Sequence, residues 1–198
     1  MSKGISMLAK IRHYVPESVR RSLYFTFINS HTGYNLLNWG TAPTTYIDTI
    51  SAKTRKAIRI ISFANKDEPS LPLFKKHSIL PLEKDFELKQ SVFMWKLENG
   101  LLPESLVRNF RTNRNRVIPI NNRLESSAKH ITYAGPKIWQ NLPDDIKCIA
   151  FPKSFSKAVK NILQNNTNDN ACYQNRYRQG QRFQSRWDLE IGESTNLI

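Results

Sequence analysis

The chain has 198 residues, of which 39% are hydrophobic and 11% aromatic, and it carries a formal net charge of +14. That length suits one domain, or one domain with a tail, and the charge points to polyanions: nucleic acid first, an acidic membrane surface second. The two cysteines, Cys148 and Cys172, have no Cys or His at zinc-like spacing, which excludes a disulfide framework and a zinc module and fits a reducing, intracellular setting, nuclear or cytoplasmic.

The positive charge is uneven. Residues 167–198 hold Arg176, Arg178, Arg182 and Arg186 against Asp169, Asp188, Glu190 and Glu193, so the whole excess lies in residues 1–166. The N-terminus lacks the apolar run of a signal peptide. The most apolar stretch, Ser22 to Ile28, is far too short to span a bilayer.

Ile5, Leu8 and Ile11 suggest a first helix ending near Val15. Pro16 opens a second, in which Val19, Leu23 and Phe27 recur every four residues. Its pattern continues through Tyr34 and Leu37 to Trp39, with Gly33 as an interruption and Gly40 as a stop. Pro43 and Thr44 begin a third. On a wheel of about 100° per residue, Ile47, Ile50, Thr54, Ala57, Ile58 and Ile61 fall within one arc, and Lys53, Arg55, Lys56 and Arg59 fall outside it. This helix is expected to turn an apolar face inward and a basic face outward.

Ser70 to His77 reads as a short helix, and Pro81 starts a longer one that ends at Asn99-Gly100. Leu82, Phe86, Phe93 and Leu97 line one side of it; Leu88, Val92 and Trp95 line another. A helix apolar on two sides belongs at the centre of a fold. Pro103 opens a short helix to about Phe110. Beyond it Arg111, Arg114, Arg116 and Arg123 cluster among asparagines. Val117–Ile120 and His130–Tyr133 are predicted to pair as a small hairpin, with Pro119 making it an edge element. Gly135 to Pro143 reads as a punctuated turn around Trp139, with Pro136 at a first helical position and Pro143 ending it. Pro152 opens a last helix with Phe155, Val159 and Ile162 as its stripe. The run after Gln164, Asn-Asn-Thr-Asn-Asp-Asn, has the composition of a disordered linker. The expected fold is therefore mainly α: a helical bundle, a small β-hairpin near residues 116–133, and a disordered C-terminal tail over 165–198. Residues 1–110 are expected to form a helical part, and 111–164 an arginine-rich hairpin with helices packed on it.

Nothing in the sequence supports catalysis. The adjacent acidic pairs, Asp67-Glu68 and Asp144-Asp145, sit beside prolines in a turn and at a helix start, where carboxylates favour the helix dipole. His13, His31, His77 and His130 have no partner at nucleophile or metal spacing, and the seven scattered glycines form no phosphate loop. No metal, cofactor or small-molecule substrate is implied. The binding chemistry is better represented, because duplex nucleic acid is held chiefly through its phosphates by Lys, Arg and helix N-termini. Lys53, Arg55, Lys56 and Arg59 are the first candidates; Arg111, Arg114 and Arg116 come second. The tail alternates aromatic residues and arginines from Tyr173 to Trp187, as flexible single-strand binders do, although Asp188, Glu190 and Glu193 cancel its charge. Trp39, Trp95 and Trp139 are assigned to packing.

One ordered series of landmarks resembles a known family. It runs from Leu23-Tyr24 through Tyr34-Asn-Leu-Leu-Asn-Trp39-Gly40 to Lys53-Thr-Arg-Lys-Ala-Ile-Arg-Ile-Ile61. Leu73-Phe74, Ile79-Leu80-Pro81-Leu82 and Asn99-Gly-Leu-Leu-Pro103 follow. Gly135-Pro136, Trp139, Leu142-Pro143 and Phe155 close it. Over roughly residues 3–164 this is similar to the region after the polymerase palm in reverse transcriptases of Jockey-like non-LTR retrotransposons. Gln140 departs from the asparagine that often follows the tryptophan. The resemblance implies a thumb and post-thumb region that holds an RNA template and growing DNA for a palm, with the catalytic Tyr-x-Asp-Asp upstream of residue 1. No membrane is implied as a partner. The alternatives are a structural or protein-interaction module, such as a relic of a retroelement, and a binder of anionic membranes.

Overall fold

The computed structural model of the protein describes residues 1–110, 112–113, 116–117 and 130–165. The described part is mainly helical, as the sequence predicts. In chain order its helices are α1 (Ser2–Ile11), α2 (Glu17–Tyr24), a π-helical turn (Phe25–Asn29), α3 (Ser30–Gly33), α4 (Leu36–Trp39) and α5 (Thr44–Ser62). After these come α6 (Ser70–Lys76), α7 (Leu82–Glu98), α8 (Glu104–Val107), α9 (Ile131–Asn141), α10 (Asp144–Lys147) and α11 (Pro152–Asn165).

Proline sets most of the starts. Pro16, Pro43, Pro69, Pro81, Pro103 and Pro143 each stand immediately before a helix, with φ between −49° and −66° and an extended ψ. The ring fixes φ, and no helical hydrogen bond is asked of the missing N–H. At the end of α7, Gly100 takes φ +66°, and Leu101 N–H closes back on the Lys96 carbonyl. This is the glycine-terminated end expected from Asn99-Gly100.

The helix that starts after Pro16 is not continuous. Ser22, Thr26 and Ser30 each turn a hydroxyl back on the carbonyl four residues earlier, two of them at 3.2 and 3.1 Å. Such back-bonding competes with the backbone ladder and bends helices, and the ladder loosens here into the π-helical turn Phe25–Asn29. Asn35 then takes a left-handed φ of +49°, which separates α4. Of the four-residue stripe, Val19 is exposed and Leu23 and Phe27 are half-buried against the core, while Tyr24 and Ile28 beside them are buried.

Met1–Gln164 form one compact unit. Its first cluster joins Ile5 and Leu8 of α1, Tyr24 and Ile28, Ala57, Ile58 and Ile61 of α5, Leu73 and Phe74 of α6, and Ile79. Burying each such aliphatic side chain contributes about 1.5–3 kcal/mol. Two further clusters lie on opposite sides of α7. Met94 and Leu97 meet Phe110, with Ile131 and Trp139 at the edge. Trp95 meets Phe155 and Val159 of α11. Serving both sides makes α7 the central helix its sequence predicts.

Two expectations are corrected. The hairpin of residues 117–120 with 130–133 is not formed: Ile131–Tyr133 are the first turn of α9, where His130 Nδ1 accepts from Thr132 N–H at 3.5 Å. The β-branched pair Ile131-Thr132 looks strand-like, but Ile131 gains its burial by packing beside Met94 and Leu97. The strand pairing among the described residues is a two-residue antiparallel ladder, Thr112–Asn113 with Arg116–Val117. The Gly135–Pro143 stretch is also not a separate turn. Pro136 lies inside α9 and is buried, because the helix begins five residues earlier. Gly135 serves packing: a Cβ there would stand 2.7 Å from Met94 Sδ. The far end is as predicted, with Leu142 extended before Pro143. The expected disordered tail lies outside the described residues, apart from Asn165 at the end of α11.

Candidate nucleic-acid interface

α5 is built as its sequence requires. Ser51, Thr54, Ala57, Ile58 and Ile61 are its buried residues, so the opposite face is held rigidly outward. Lys56 is exposed there, and Lys53, Arg55 and Arg59 are half-buried around it. Asp48 shares that face and dilutes its charge. The four cations are not equivalent. Arg55 Nη1 donates to Ser51 Oγ at 2.8 Å, and Arg59 Nε donates to the Glu68 carbonyl at 3.0 Å. These bonds take up part of the fork that would hold a phosphate, which leaves Lys53 and Lys56 as the better phosphate donors. The second candidate group is split. Arg116 pairs with Asn113 through the backbone of the small ladder; Arg111 and Arg114 lie outside the described residues.

Several cations outside the two candidate groups are spent on the fold, among them Lys160, which the stripe of the last helix places on its exposed side, and Arg20 and Arg21, which add to the basic charge expected to meet a polyanion. Arg20 Nε donates to Ile61 O at 2.9 Å and Nη1 to Val15 O at 2.7 Å, tying the α1–α2 connection to the end of α5. Arg21 Nε donates to His77 O at 2.7 Å. Lys160 of α11 reaches Ser78 O at 2.8 Å, and Lys89 of α7 reaches Gly33 O. Apart from Val15, the partners lie 41 to 82 residues away along the chain, which explains why no local pattern reveals them. Charged donors of this kind are worth roughly 1.5–3 kcal/mol each.

His77 sits at the centre of this polar seam, with 4% of its surface exposed. Its Nε2 lies 2.8 Å from Ser62 Oγ and its Nδ1 3.4 Å from Glu17 Oε1. The connectivity is that of a hydroxyl, a base and an orienting carboxylate. However, Ser62 Oγ also donates to Ile58 O at 2.8 Å, so the hydroxyl proton points along the helix and not at the imidazole. The arrangement fixes α6 against α5. Burial pushes the His77 pKa below its ordinary value; Glu17 opposes this, and Lys76, Arg20 and Arg21 add to it. Nearby, burial pushes Asp85 up, countered by Lys89 and Lys160. The buried Tyr24 hydroxyl is also pushed up, by burial first and then by Asp85. Lys160 is pulled down by burial, then by Arg21.

Asp144 and Asp145 occupy the first turn of α10, where the dipole favours them, and Asp144 pairs with Lys147 at 2.9 Å. Trp95 is 2% exposed and donates Nε1–H to Ile149 O at 2.9 Å; Trp139 borders both clusters on α7; Trp39 donates to Tyr34 O at 2.8 Å. Among the described residues no group of three His, Cys, Asp or Glu could hold a metal ion, and no helix is long and apolar enough to cross a membrane. No family model, curated protein or solved structure matches the chain.

Proposed function

We propose that the chain is a nucleic-acid-binding module, the thumb and post-thumb part of a retrotransposon reverse transcriptase. In this role it grips an RNA/DNA hybrid in the nucleus or cytoplasm for a palm that would be encoded upstream. One observation carries the binding part of this reading: Lys53 and Lys56 stand on the outward side of a long helix whose other side is buried in the core. A net charge of +14 supplies the long-range attraction. Lys53 and Lys56 make the phosphate contacts, with Arg59 beside them and Arg111, Arg114 and Arg116 as a second contact region. The retroelement origin rests on the ordered sequence landmarks alone.

The test is an anisotropy titration of a labelled RNA/DNA hybrid across a salt series. With about six phosphate contacts, affinity falls roughly 10³-fold between 50 and 200 mM salt. A flat salt dependence, or no binding at 50 mM, would sink the reading. One observation favours a second reading, a structural or protein-interaction module: Arg20, Arg21, Arg59, Lys89 and Lys160 donate to carbonyls of the chain itself. On that reading, charge reversal at Lys53 and Lys56 changes no nucleic-acid titration.

A further inference from the structure

Phe63, at the end of α5, is placed against both its packing and its backbone interest. It takes φ +57° and ψ +25°, the left-handed region that a bulky side chain rarely adopts. Helix ends of this shape, with Phe63 N–H on Ile60 O at 3.4 Å and Ala64 N–H on Arg59 O at 3.0 Å, favour glycine. The apolar contact that usually accompanies such an end is available without Phe63, since Ile60 and Ala64 both pack on the first core cluster. The phenylalanine is instead 45% exposed. Around its ring stand cationic and polar planar groups. Arg20 Cζ is 4.6 Å from the ring centroid, Arg12 Cζ 5.2 Å, and the His13 ring 5.1 Å away at 58°. Arg20 is itself fixed by the carbonyls of Ile61 and Val15.

An exposed, strained ring that does not serve the core calls for a role outside it. We propose that the exposed part of the Phe63 ring is a stacking platform for an unpaired nucleobase, with Arg12, over the ring, supplying positive charge for an adjoining phosphate. The inference rests on the nucleic-acid reading above and adds to it a single-strand subsite at the far end of α5. The chemistry is that of single-strand binders: an aromatic face for any base and guanidinium groups for the backbone. An anionic membrane is the weaker occupant, because interfacial anchoring needs a broad apolar face and not one ring.

The experiment uses the full chain and three labelled probes: a blunt RNA/DNA hybrid, the same hybrid with a short single-stranded overhang, and the single strand alone. The overhang is expected to tighten binding about tenfold. Phe63→Leu and Phe63→Gly abolish that gain and leave blunt-hybrid affinity unchanged, whereas Phe63→Tyr keeps it. Phe63→Gly also relieves the left-handed strain, so its loss of the gain does not reflect misfolding. Equal affinity of the wild type for blunt and overhang hybrids overturns the proposal, as does a gain that survives Phe63→Gly. Sedimentation with phosphatidylserine vesicles that requires Phe63, without an overhang gain, assigns the ring to a membrane and also overturns it. Phe63-dependent binding of the single strand without hybrid binding would retain the stacking site and remove the duplex reading. Failure to bind any probe overturns both.

Discussion

The α5 and α7 regions of this protein solve the same problem by different means. The cluster on α5 is largely aliphatic, and its borders are closed by guanidinium groups donating to carbonyls, Arg20 on Ile61 and Arg21 on His77. The clusters on α7 rely on aromatic side chains: Trp95 lies 5.8 Å from Phe155, Trp139 6.0 Å from Phe155, and Phe93 5.9 Å from Phe110. The difference follows from position. α5 has one side in solvent and carries mainly cations there, while α7 packs on two sides and its remaining surface carries charges of both signs, with Lys84 paired to Glu87. The lesson concerns the net charge of +14. Near α5 a good part of it is mortar for the fold, and what remains for a ligand is smaller than the formal charge suggests.

The comparison can be broken most sharply at Trp95. Trp95→Ala removes a buried aromatic and the bond to Ile149 O, and should cost about 3–5 kcal/mol in denaturant unfolding. A cost under about 1 kcal/mol would mean that the α7 side is not the aromatic core described. Gly135→Ala comes next. Its new methyl meets Met94 Sδ at 2.7 Å within a packed interior, an overpacking of about 1–3 kcal/mol. Combining it with a smaller residue at Met94 should cost less than the two changes summed, a coupling that a double-mutant cycle measures.

On the α5 side, Arg20→Met should cost about 1.5–3 kcal/mol, because it unpairs the carbonyls of Ile61 and Val15 together. If instead it changes stability little but weakens hybrid binding, Arg20 belongs to the ligand and not to the fold. The seam around His77 gives a smaller, pH-dependent effect. The folded pKa lies below the ordinary 6.5, so the unfolded chain takes up the proton first. Stability is therefore full above pH 6.5 and is lost as pH falls through the lowered folded value. His77→Gln should flatten that part of a stability–pH profile. The smallest effect on stability belongs to Lys53→Glu with Lys56→Glu, within about 0.5 kcal/mol for surface sites. The same pair should lower the salt slope of hybrid binding by about one for each phosphate that is no longer neutralised.

Much of the fold was legible along the chain. Of the arc expected on α5, Thr54, Ala57, Ile58 and Ile61 are buried while Ile47 and Ile50 are half-buried, and the two apolar sides of α7 are the sides that pack. Prolines mark helix starts because their geometry acts on immediate neighbours. Two failures came where a neighbour distant in sequence decided the outcome. His130–Tyr133 became helix because α7 offers Ile131 a place to pack, and Pro136 fell inside α9 for the same reason. In the candidate interface, the outward basic side of α5 was legible from periodicity. That Arg59 is partly engaged within the protein was not, because it bonds a carbonyl beyond the end of its helix, whereas Arg55 bonds Ser51 one turn earlier on the same helix.

Residue order was enough to place most of the helices, to say which one is central, and to show that the charge lies before residue 167, since periodicity, proline geometry and composition are local properties. Which cations face solvent and which bind carbonyls was settled by the packing of the helices. That packing also brought Glu17, Ser62 and His77 together, and surrounded Phe63 with Arg12 and Arg20. Those arrangements depend on how helices far apart in the chain cross, a relation that the order of residues along any one helix does not contain.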